Sequence, residues 1–327
     1  MRVLITGGAG ALGSVLSAFL SKQHEVSVVD VTRPLEASRL IHLLGMPEPV
    51  NANTFKFGLV TYYWSYVEGF LTNQDFDVVV DCAIGSADRP LGTFSTRAIT
   101  NANLSPALAV FEWARGRKTT VIYPSSFNAL YGSSHITERS LPDPVSSYGF
   151  TKASAELLYR TLAREHGVRV VITRVGSAYG ELGRTDELPH RLIIDALQGK
   201  DLRVRSPHSK RLWTYAGDVL EFYKRLFDRL DELPENPITL HVAGNKGDRI
   251  VTNLQLAEIV SEGKLKVIPE DYYEPGELVN GKPIDFVSDS SYTRSLLGWE
   301  PIYTLEEGIK RTKEGIQRRF YSQALIK

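Results

Sequence analysis

The chain has 327 residues, and its 38 basic side chains balance its 38 acidic side chains. This length allows one large domain or two joined domains, and zero net charge gives no global attraction to nucleic acid or to a membrane surface. The single cysteine, Cys82, excludes an internal disulfide framework and favours a reducing, cytoplasmic location.

Signals for export, membrane insertion and metal binding are missing from the sequence. The N-terminal run Met1–Thr6 reaches glycines too soon for a signal peptide, and no apolar run is as long as the roughly 18 residues of a membrane span. The histidines are scattered without ligand spacing. We therefore expect no membrane partner, no nucleic acid partner and no metal.

Short apolar runs alternate with helical patterns through the first half of the chain. The predicted elements are a strand at 2–6, a helix at 15–20, strands at 25–30 and 77–81, a helix at 103–115, a strand at 119–123, a helix at 152–166 and a strand at 169–173. This alternation indicates βαβ units around a buried parallel sheet, so the predicted fold class is α/β. The stretch 33–57 is the least regular and could be a helix with a long loop.

A glycine-rich loop joins the first strand to the first helix, with Gly7, Gly10 and Gly13 spaced three apart. Gly7 permits a tight turn, Gly10 lets the backbone approach a pyrophosphate at the helix N-terminus, and Gly13 lets the helix pack against the sheet. Ala11 and Leu12 lie between them and are also predicted to contact the cofactor. The alternative is a glycine turn with no ligand.

An acidic residue, Asp30, ends the second predicted strand 17 residues after Gly13. Its carboxylate can accept hydrogen bonds from the adenosine ribose hydroxyls and would repel a 2′-phosphate. The sequence therefore predicts NAD as the cofactor. Arg33 lies close by and could accommodate that phosphate, so NADP is the alternative.

Tyr148 and Lys152 are the predicted catalytic pair. In a helix they lie one turn apart on the same face. An ammonium beside a phenol lowers the phenol pKa from about 10 toward the working range. Such a tyrosine can exchange a proton with a hydroxyl or carbonyl while a hydride moves at the same carbon.

The glycine spacing and Tyr148-x-x-x-Lys152 resemble the extended short-chain dehydrogenase/reductases, the NAD-dependent epimerase/dehydratase family. Further similar motifs occur in the same order along nearly the whole chain: 81–83, 103–115, 125–126 with 131–132, 144–149, 174–180, 211–219, 297–301 and 305–308. The resemblance implies a Rossmann-like doubly wound parallel sheet with a smaller C-terminal α/β domain for the substrate. The implied domains are 1–175 and 176–327, with parts near 211–243 returning to the first.

The same resemblance implies roles for particular residues. Tyr148 is the acid/base, and Lys152 holds the nicotinamide ribose and lowers the Tyr148 pKa. Ala83 and Asn103 line the cofactor. The implied assembly is a homodimer formed by the helices near 103–115 and 150–166.

The chain departs from the family pattern around the substrate. Phe127 stands where the family has a Ser or Thr donor. Either Ser126, one residue earlier, supplies that hydroxyl, which we expect, or the site works without the donor. Ser125 and Phe127 are predicted to line the substrate, although the two serines could also be simple turn residues. The acids of the family's 4,6-dehydratases are replaced by Asn128 and Ala129, so dehydration is not expected.

Three further departures concern the adenine and the diphosphate. Gly58 replaces an aspartate expected at the adenine, and Ser177 replaces an asparagine that contacts the substrate phosphate. The segment 281–283 replaces an Arg-x-Gly-Asp clamp. Against these losses, 203–211 is strongly basic, and it is either a diphosphate site or a solvated charge run. We expect Arg211 to contact an anionic group of the substrate.

Three functions remain open from the sequence. The first is an NAD-dependent epimerase of a sugar or nucleotide-sugar. The second is an NAD-dependent dehydrogenase or reductase of a sugar, sugar acid or cyclitol. The third is a catalytically impaired, dinucleotide-binding regulator. The presence of both Tyr148 and Lys152 argues against this third function.

Overall fold

The computed structural model describes residues 1–8, 10–30, 56–59, 74–84, 96–181, 183, 187–274 and 276–324. The chain divides into two compact units. The first comprises Met1–Ala129, Ser147–Arg174 and Glu232–Leu240, and the second comprises Leu130–Ser146, Val175–Asp231 and His241–Lys327. Residues 130–146, predicted for the first domain, thus belong to the second unit, and the returning stretch is shorter than 211–243.

Strands and helices of the described residues are numbered here in chain order. The strands are β1 (Arg2–Thr6), β2 (Glu25–Asp30), β3 (Lys56–Leu59), β4 (Val78–Asp81), β5 (Thr120–Ser126), β6 (His135–Ile136), β7 (Arg169–Val175), β8 (Ser177–Tyr179), β9 (Leu202–Val204), β10 (Lys210–Tyr215), β11 (Ile238–Val242), β12 (Ile250–Thr252), β13 (Val267–Pro269), β14 (Leu278–Val279), β15 (Lys282–Pro283) and β16 (Val287–Ser288). The helices are α1 (Ala11–Leu20), α2 (Thr96–Ala114), α3 (Ser147–His166), α4 (Leu188–Leu197), α5 (Ala216–Asp228), α6 (Asn253–Ser261), α7 (Ser291–Leu297) and α8 (Leu305–Ala324).

One sheet organises the first unit, with the strand order β11-β7-β5-β4-β1-β2-β3. Each neighbouring pair from β3 to β5 is parallel. The order reverses direction between β1 and β4, and this is where α/β folds bind ligands at the carboxyl ends of the strands. The predicted doubly wound, Rossmann-like fold is confirmed.

The β-branched runs explain why these segments form central strands. Val78, Val79 and Val80 are almost fully buried, as expected for a sheet covered on both faces. Helices α2 and α3 pack against each other. Their side chains share one core cluster with the strands, which includes Val110, Tyr159 and Leu162.

Helix starts are where the sequence-based expectations were least accurate. Helix α2 begins at Thr96 and α3 at Ser147, before the predicted positions 103 and 152. The first turns each carry a single large aliphatic or phenyl side chain, Ile99 in α2 and Phe150 in α3, and one such residue gives no periodic signal. Most of the irregular stretch 33–57 lies outside the described residues, apart from the start of β3.

The second unit is built on the sheet β12-β10-β8. Helices α4, α6 and α8 contribute to its own apolar cluster, for example through Leu192, Leu256 and Ile309. Strands β14 and β15 form a small antiparallel hairpin. Within the described segments, no helix is both long and apolar enough to cross a bilayer.

Candidate active site

The glycine loop follows β1 and adopts a backbone that side chains would disrupt. Gly7 has a φ of 63°, and a Cβ on it would lie 2.7 Å from the carbonyl oxygen of Cys82. A Cβ on Gly13 would lie 2.2 Å from the carbonyl oxygen of Gly7. These approaches require glycine at both positions, and they hold the start of α1 against the loop.

Gly10 differs from these two because its surroundings are more open. It is exposed, and among the described residues a Cβ there would meet only the Gly7 carbonyl oxygen, at 3.1 Å. As the N-cap of α1 it places the first backbone N–H groups of Ala11 and Leu12 at the helix start. A backbone cradle of this kind fits a pyrophosphate. Ala9 lies outside the described residues.

The carboxyl ends of β1 and β4 are joined by a buried polar network around Asp81. Thr6 Oγ1 donates to Asp81 Oδ1 at 2.5 Å, and the Tyr159 hydroxyl donates to Oδ2 at 2.6 Å. Burial raises the pKa of Asp81, although these hydrogen bonds and Lys152 oppose the rise. The backbone N–H of Ala83 also donates to Thr6 Oγ1, at 3.3 Å. The network fixes the segment that is predicted to line the cofactor.

Tyr148 and Lys152 both lie in the first two turns of α3, so they share one face of the helix. Lys152 is only 4% exposed, and its Nζ donates to the Pro124 carbonyl oxygen at 2.8 Å. The same Nζ lies 4.9 Å from the centre of the Tyr123 ring. Burial lowers the Lys152 pKa to about 8, against the attraction of Asp81. Tyr148 is half-buried.

Helix α3 packs against β5 and against the short 3-10 turn Phe127–Ala129 that follows it. Ser126, at the end of β5, accepts hydrogen bonds from the backbone and side-chain nitrogens of Asn128, both at 3.2 Å. Both bonds use the hydroxyl oxygen as acceptor, so its hydrogen can donate to a substrate oxygen. Ser126 is half-buried.

Ser125 and Phe127, predicted to line the substrate, lie in the interior. The Phe127 ring is 1% exposed. Ser125 donates to Glu156 Oε1 at 2.6 Å, and Glu156 pairs with the fully buried Arg174 at 2.8 Å. Ser125 therefore has a hydrogen-bond partner in the core, Glu156. A substrate contact for Ser125 or Phe127 stays a prediction.

Two other predicted cofactor residues have defined positions in the first unit. Asp30 ends β2 and is half-buried. Asn103 is buried on α2, and its side-chain nitrogen donates to Thr151 Oγ1 on α3 at 2.8 Å. Asn103 therefore ties α2 to α3.

The second unit contains Arg211, the predicted anion contact, on β10. The side chain is buried, and its Nη2 donates to Glu277 Oε1 at 2.6 Å. The guanidinium carbon lies 5.2 Å from the centre of the Tyr131 ring. Arg211 thus already has a carboxylate partner from its own unit. Ser177, on β8, is half-buried and lies in register with Trp213 of β10.

Glu156, Glu277 and Tyr131 were not predicted as parts of either site. Glu156 lies on the buried face of α3, where a carboxylate requires a cation, and this gives a weak sequence signal for Arg174. The sequence signal for a partner of Arg211 is stronger. Later in the chain than the basic run 203–211, acidic residues cluster at 270, 271, 274 and 277, so the two runs have opposite charge. In the described part of the chain, no group of His, Cys, Asp and Glu side chains could hold a metal ion.

Comparison with known proteins gives one family match and several full-length similarities. The family model described as NAD dependent epimerase/dehydratase family matches residues 3–240. The uncharacterized UDP-glucose epimerase YtcB of Bacillus subtilis is 26% identical, with 94% of this chain and 96% of that protein covered. UDP-glucuronic acid decarboxylase 3 of Arabidopsis thaliana is 28% identical, with 98% and 90% covered.

A solved structure shows the same fold. The UDP-glucuronic acid 4-epimerase of Bacillus cereus, in complex with UDP-glucuronic acid and NAD, superposes with a TM-score of 0.80 at 24% identity. The similarity covers 98% of this chain and 100% of that one. Relatives with different reactions thus share one architecture, so the fold alone does not select the reaction.

Proposed function

The chain belongs to the NAD dependent epimerase/dehydratase family, and on that basis we propose that it is an NAD-dependent epimerase acting on a sugar or nucleotide-sugar. Tyr148 and Lys152 are its acid–base pair, and Ser126 donates a hydrogen bond to the reacting oxygen. The observation that carries the proposal is the arrangement on α3, where Tyr148 lies one turn from a buried lysine.

The family is NAD-dependent, and the residues of this chain fit the cofactor. The loop at Gly7 and Gly13 leaves no space for side chains, while Gly10 is exposed at the start of α1. Asp30 ends β2, which supports NAD over NADP because a carboxylate repels a 2′-phosphate. Bound NAD would supply a group that accepts a hydride from one carbon of the sugar and returns it.

The lysine supports the proposed proton transfer electrostatically. A pKa of about 8 keeps Lys152 mostly protonated at neutral pH. Its ammonium then favours the phenolate form of Tyr148, which can take a proton from a sugar hydroxyl and later return it. Above this pKa the lysine loses its charge, and the support for the phenolate is lost with it.

A second candidate is an NAD-dependent dehydrogenase or reductase of a sugar, sugar acid or cyclitol. The observation that favours it is the Arg211–Glu277 pair, because an occupied arginine is a poor anchor for a nucleotide diphosphate. Dehydration is not proposed, since Asn128 and Ala129 stand where the family's 4,6-dehydratases carry acids.

We also propose a cytoplasmic homodimer formed through α2 and α3. Leu108 on α2 is 49% exposed, and Leu157 on α3 is 56% exposed. Exposed leucines on two helices that pack together give an apolar surface of the kind that a second copy covers.

The test compares Tyr148→Phe with the wild type on a panel of sugars and nucleotide-sugars, with epimers and NADH measured separately. We expect turnover to fall by at least about 10²-fold, with the dissociation constant for NADH within about twofold. Tyr292→Phe, a half-buried tyrosine on α7, is the control and should keep full activity.

Two results would contradict the proposal. The first is turnover by Tyr148→Phe within a few-fold of wild type, which would remove the acid–base role. The second is tighter binding of NADPH than of NADH, which would remove the proposed role of Asp30. Steady NADH formation without epimer formation would favour the second candidate over the first.

A further inference from the structure

Asp81 places a buried carboxylate at the carboxyl end of β4, where it is only 1% exposed. Both of its oxygens accept hydrogen bonds, Oδ1 from Thr6 Oγ1 at 2.5 Å and Oδ2 from the Tyr159 hydroxyl at 2.6 Å. Burial raises the pKa of Tyr159 well above its usual range, so this phenol keeps its proton and donates it. Two donors on two acceptor oxygens favour the ionised carboxylate.

Two aromatic rings link this carboxylate to Lys152. The Lys152 Nζ lies 4.9 Å from the centre of the Tyr123 ring, and the ring centres of Tyr123 and Tyr159 are 5.0 Å apart. The Nζ donates to the uncharged Pro124 carbonyl oxygen, and among the described residues Lys152 forms no direct ion pair. A buried ammonium in this position keeps its proton only if a negative charge nearby favours it.

The other titratable groups around Lys152 do not supply that charge. Glu156 follows on the same helix, but it pairs with Arg174 at 2.8 Å, and the pair carries no net charge. Two further side chains are uncharged at neutral pH because burial raises their pKa values: Cys82 and Tyr123. The attraction of Asp81 therefore opposes the fall in the Lys152 pKa that burial causes.

We propose that Asp81 is a positioning residue that holds Lys152 in its ammonium form and, through it, supports the acid–base role of Tyr148. Asp81 acts only through Lys152 and takes no part in the proton transfer. The inference rests on the proposed function, because the ammonium serves to favour the Tyr148 phenolate. The charge of Lys152 can nevertheless be measured without any substrate, so the interaction is testable by itself.

The pH dependence follows from the sign of the interaction. A negative Asp81 favours the charged form of Lys152 and keeps the Lys152 pKa from falling below about 8. In Asp81→Asn the attraction is lost while the burial remains, so the Lys152 pKa falls. Lys152 then loses its proton at lower pH, and the alkaline decline in turnover should begin at lower pH as well.

The experiment follows the acetylation of Lys152 by trace acetic anhydride as a function of pH, on the full-length protein as purified. Only the uncharged amine reacts, and mass spectrometry of the peptide that contains Lys152 gives the midpoint. For the wild type we expect a midpoint near pH 8. For Asp81→Asn the midpoint should fall by about one pH unit, and the alkaline limb of the turnover profile should move in the same direction.

Asp77→Asn is the matched control, because it makes the same change at the opposite end of β4. Asp77 is exposed and accepts a hydrogen bond from the Arg2 backbone N–H at 2.6 Å. Its replacement should move the Lys152 midpoint by less than about 0.2 pH unit, since an exposed charge is screened. An unchanged midpoint in a folded Asp81→Asn variant would overturn the proposal. A wild-type midpoint at the ordinary lysine value of about 10.4 would overturn it too.

A second variant decides the matter if Asp81→Asn does not fold. Adding Lys152→Met removes the buried cation as well, so no charge of the pair is left alone and the double variant should fold. Failure of the double variant to fold would overturn the proposal, because Asp81 would then be required for reasons independent of Lys152.

These outcomes are separate from those of the Tyr148→Phe test. Turnover that depends on Tyr148, together with an unchanged Lys152 midpoint in Asp81→Asn, would preserve the proposed function and remove the role of Asp81. A lowered midpoint with turnover independent of Tyr148 would preserve the interaction of Asp81 with Lys152 and remove the proposed function.

Discussion

Replacing Glu156 by Gln should strongly destabilise the first unit, since it leaves a buried arginine without its counter-charge. Glu156 accepts hydrogen bonds from Arg174 Nε at 3.0 and 3.2 Å, from Arg174 Nη2 at 2.8 Å and from Ser125 Oγ at 2.6 Å. Both charged side chains are 0% exposed. Gln keeps one acceptor oxygen, but its amide NH₂ replaces the other oxygen and places N–H donors against the N–H donors of the guanidinium.

Breaking a buried ion pair from one side costs about 3–5 kcal/mol, and we expect a loss in the free energy of unfolding of that size. The double variant Glu156→Gln with Arg174→Met removes both charges. Its loss in the free energy of unfolding should be smaller than the sum of the two single losses by at least about 2 kcal/mol, because the double variant leaves no buried charge without a partner.

The assay is urea unfolding followed by circular dichroism and by tryptophan fluorescence. With two compact units in the chain, the two signals must coincide before one free energy is assigned. Glu112→Gln is the control, because Glu112 forms an exposed pair with Arg115 at 3.1 Å and should cost less than about 0.5 kcal/mol. A loss below about 1 kcal/mol for Glu156→Gln would refute the reasoning.

Two further predictions concern the serine pair and a buried carboxyl. Ser126→Ala should lower turnover on the order of 10²-fold if Ser126 is the donor, whereas Ser125→Ala should mainly lower the unfolding midpoint. Equal losses of turnover in Ser126→Ala and Ser125→Ala would contradict the assignment of a catalytic role to Ser126 and a structural role to Ser125. Burial raises the pKa of Asp218 to about 6, so this carboxyl costs stability as the pH rises from about 4 to 6. Asp218→Asn retains an acceptor for the Ile302 N–H. The melting temperature of Asp218→Asn minus that of wild type should increase as the pH rises from about 4 to 6 and should stay constant at higher pH. A difference that does not change with pH would contradict this.

Much of the proposed cofactor site could be predicted from the sequence because its geometry is set by neighbours along the chain. Strands β1 and β2 have the predicted bounds. Gly7 and Gly13 fit because their close contacts tolerate no side chain. Tyr148 and Lys152 share a helix, so spacing alone places them on one face.

The charged partners were much harder to predict. Nothing local indicates that Ser125 faces Glu156 while Ser126 faces Asn128, because neighbouring residues of a strand point to opposite sides and the sequence does not show which side is core. The structure pairs Arg211 with Glu277, a partner that was not predicted from the sequence, and its expected contact with a substrate anion stays a prediction. The acidic run at 270–277 was present in the sequence, but its position beside β10 was not.

The sequence by itself determined the family, the Rossmann-like fold and the position of the glycine loop, because short-range sterics and hydrophobic periodicity depend on residues that are close together in the chain. Only the tertiary structure decided which charges meet. Arg174 and Glu156 join β7 to α3, and Arg211 and Glu277 join β10 to the segment before β14. Ion pairs between distant segments depend on burial and direction, and these exist only after the chain has folded.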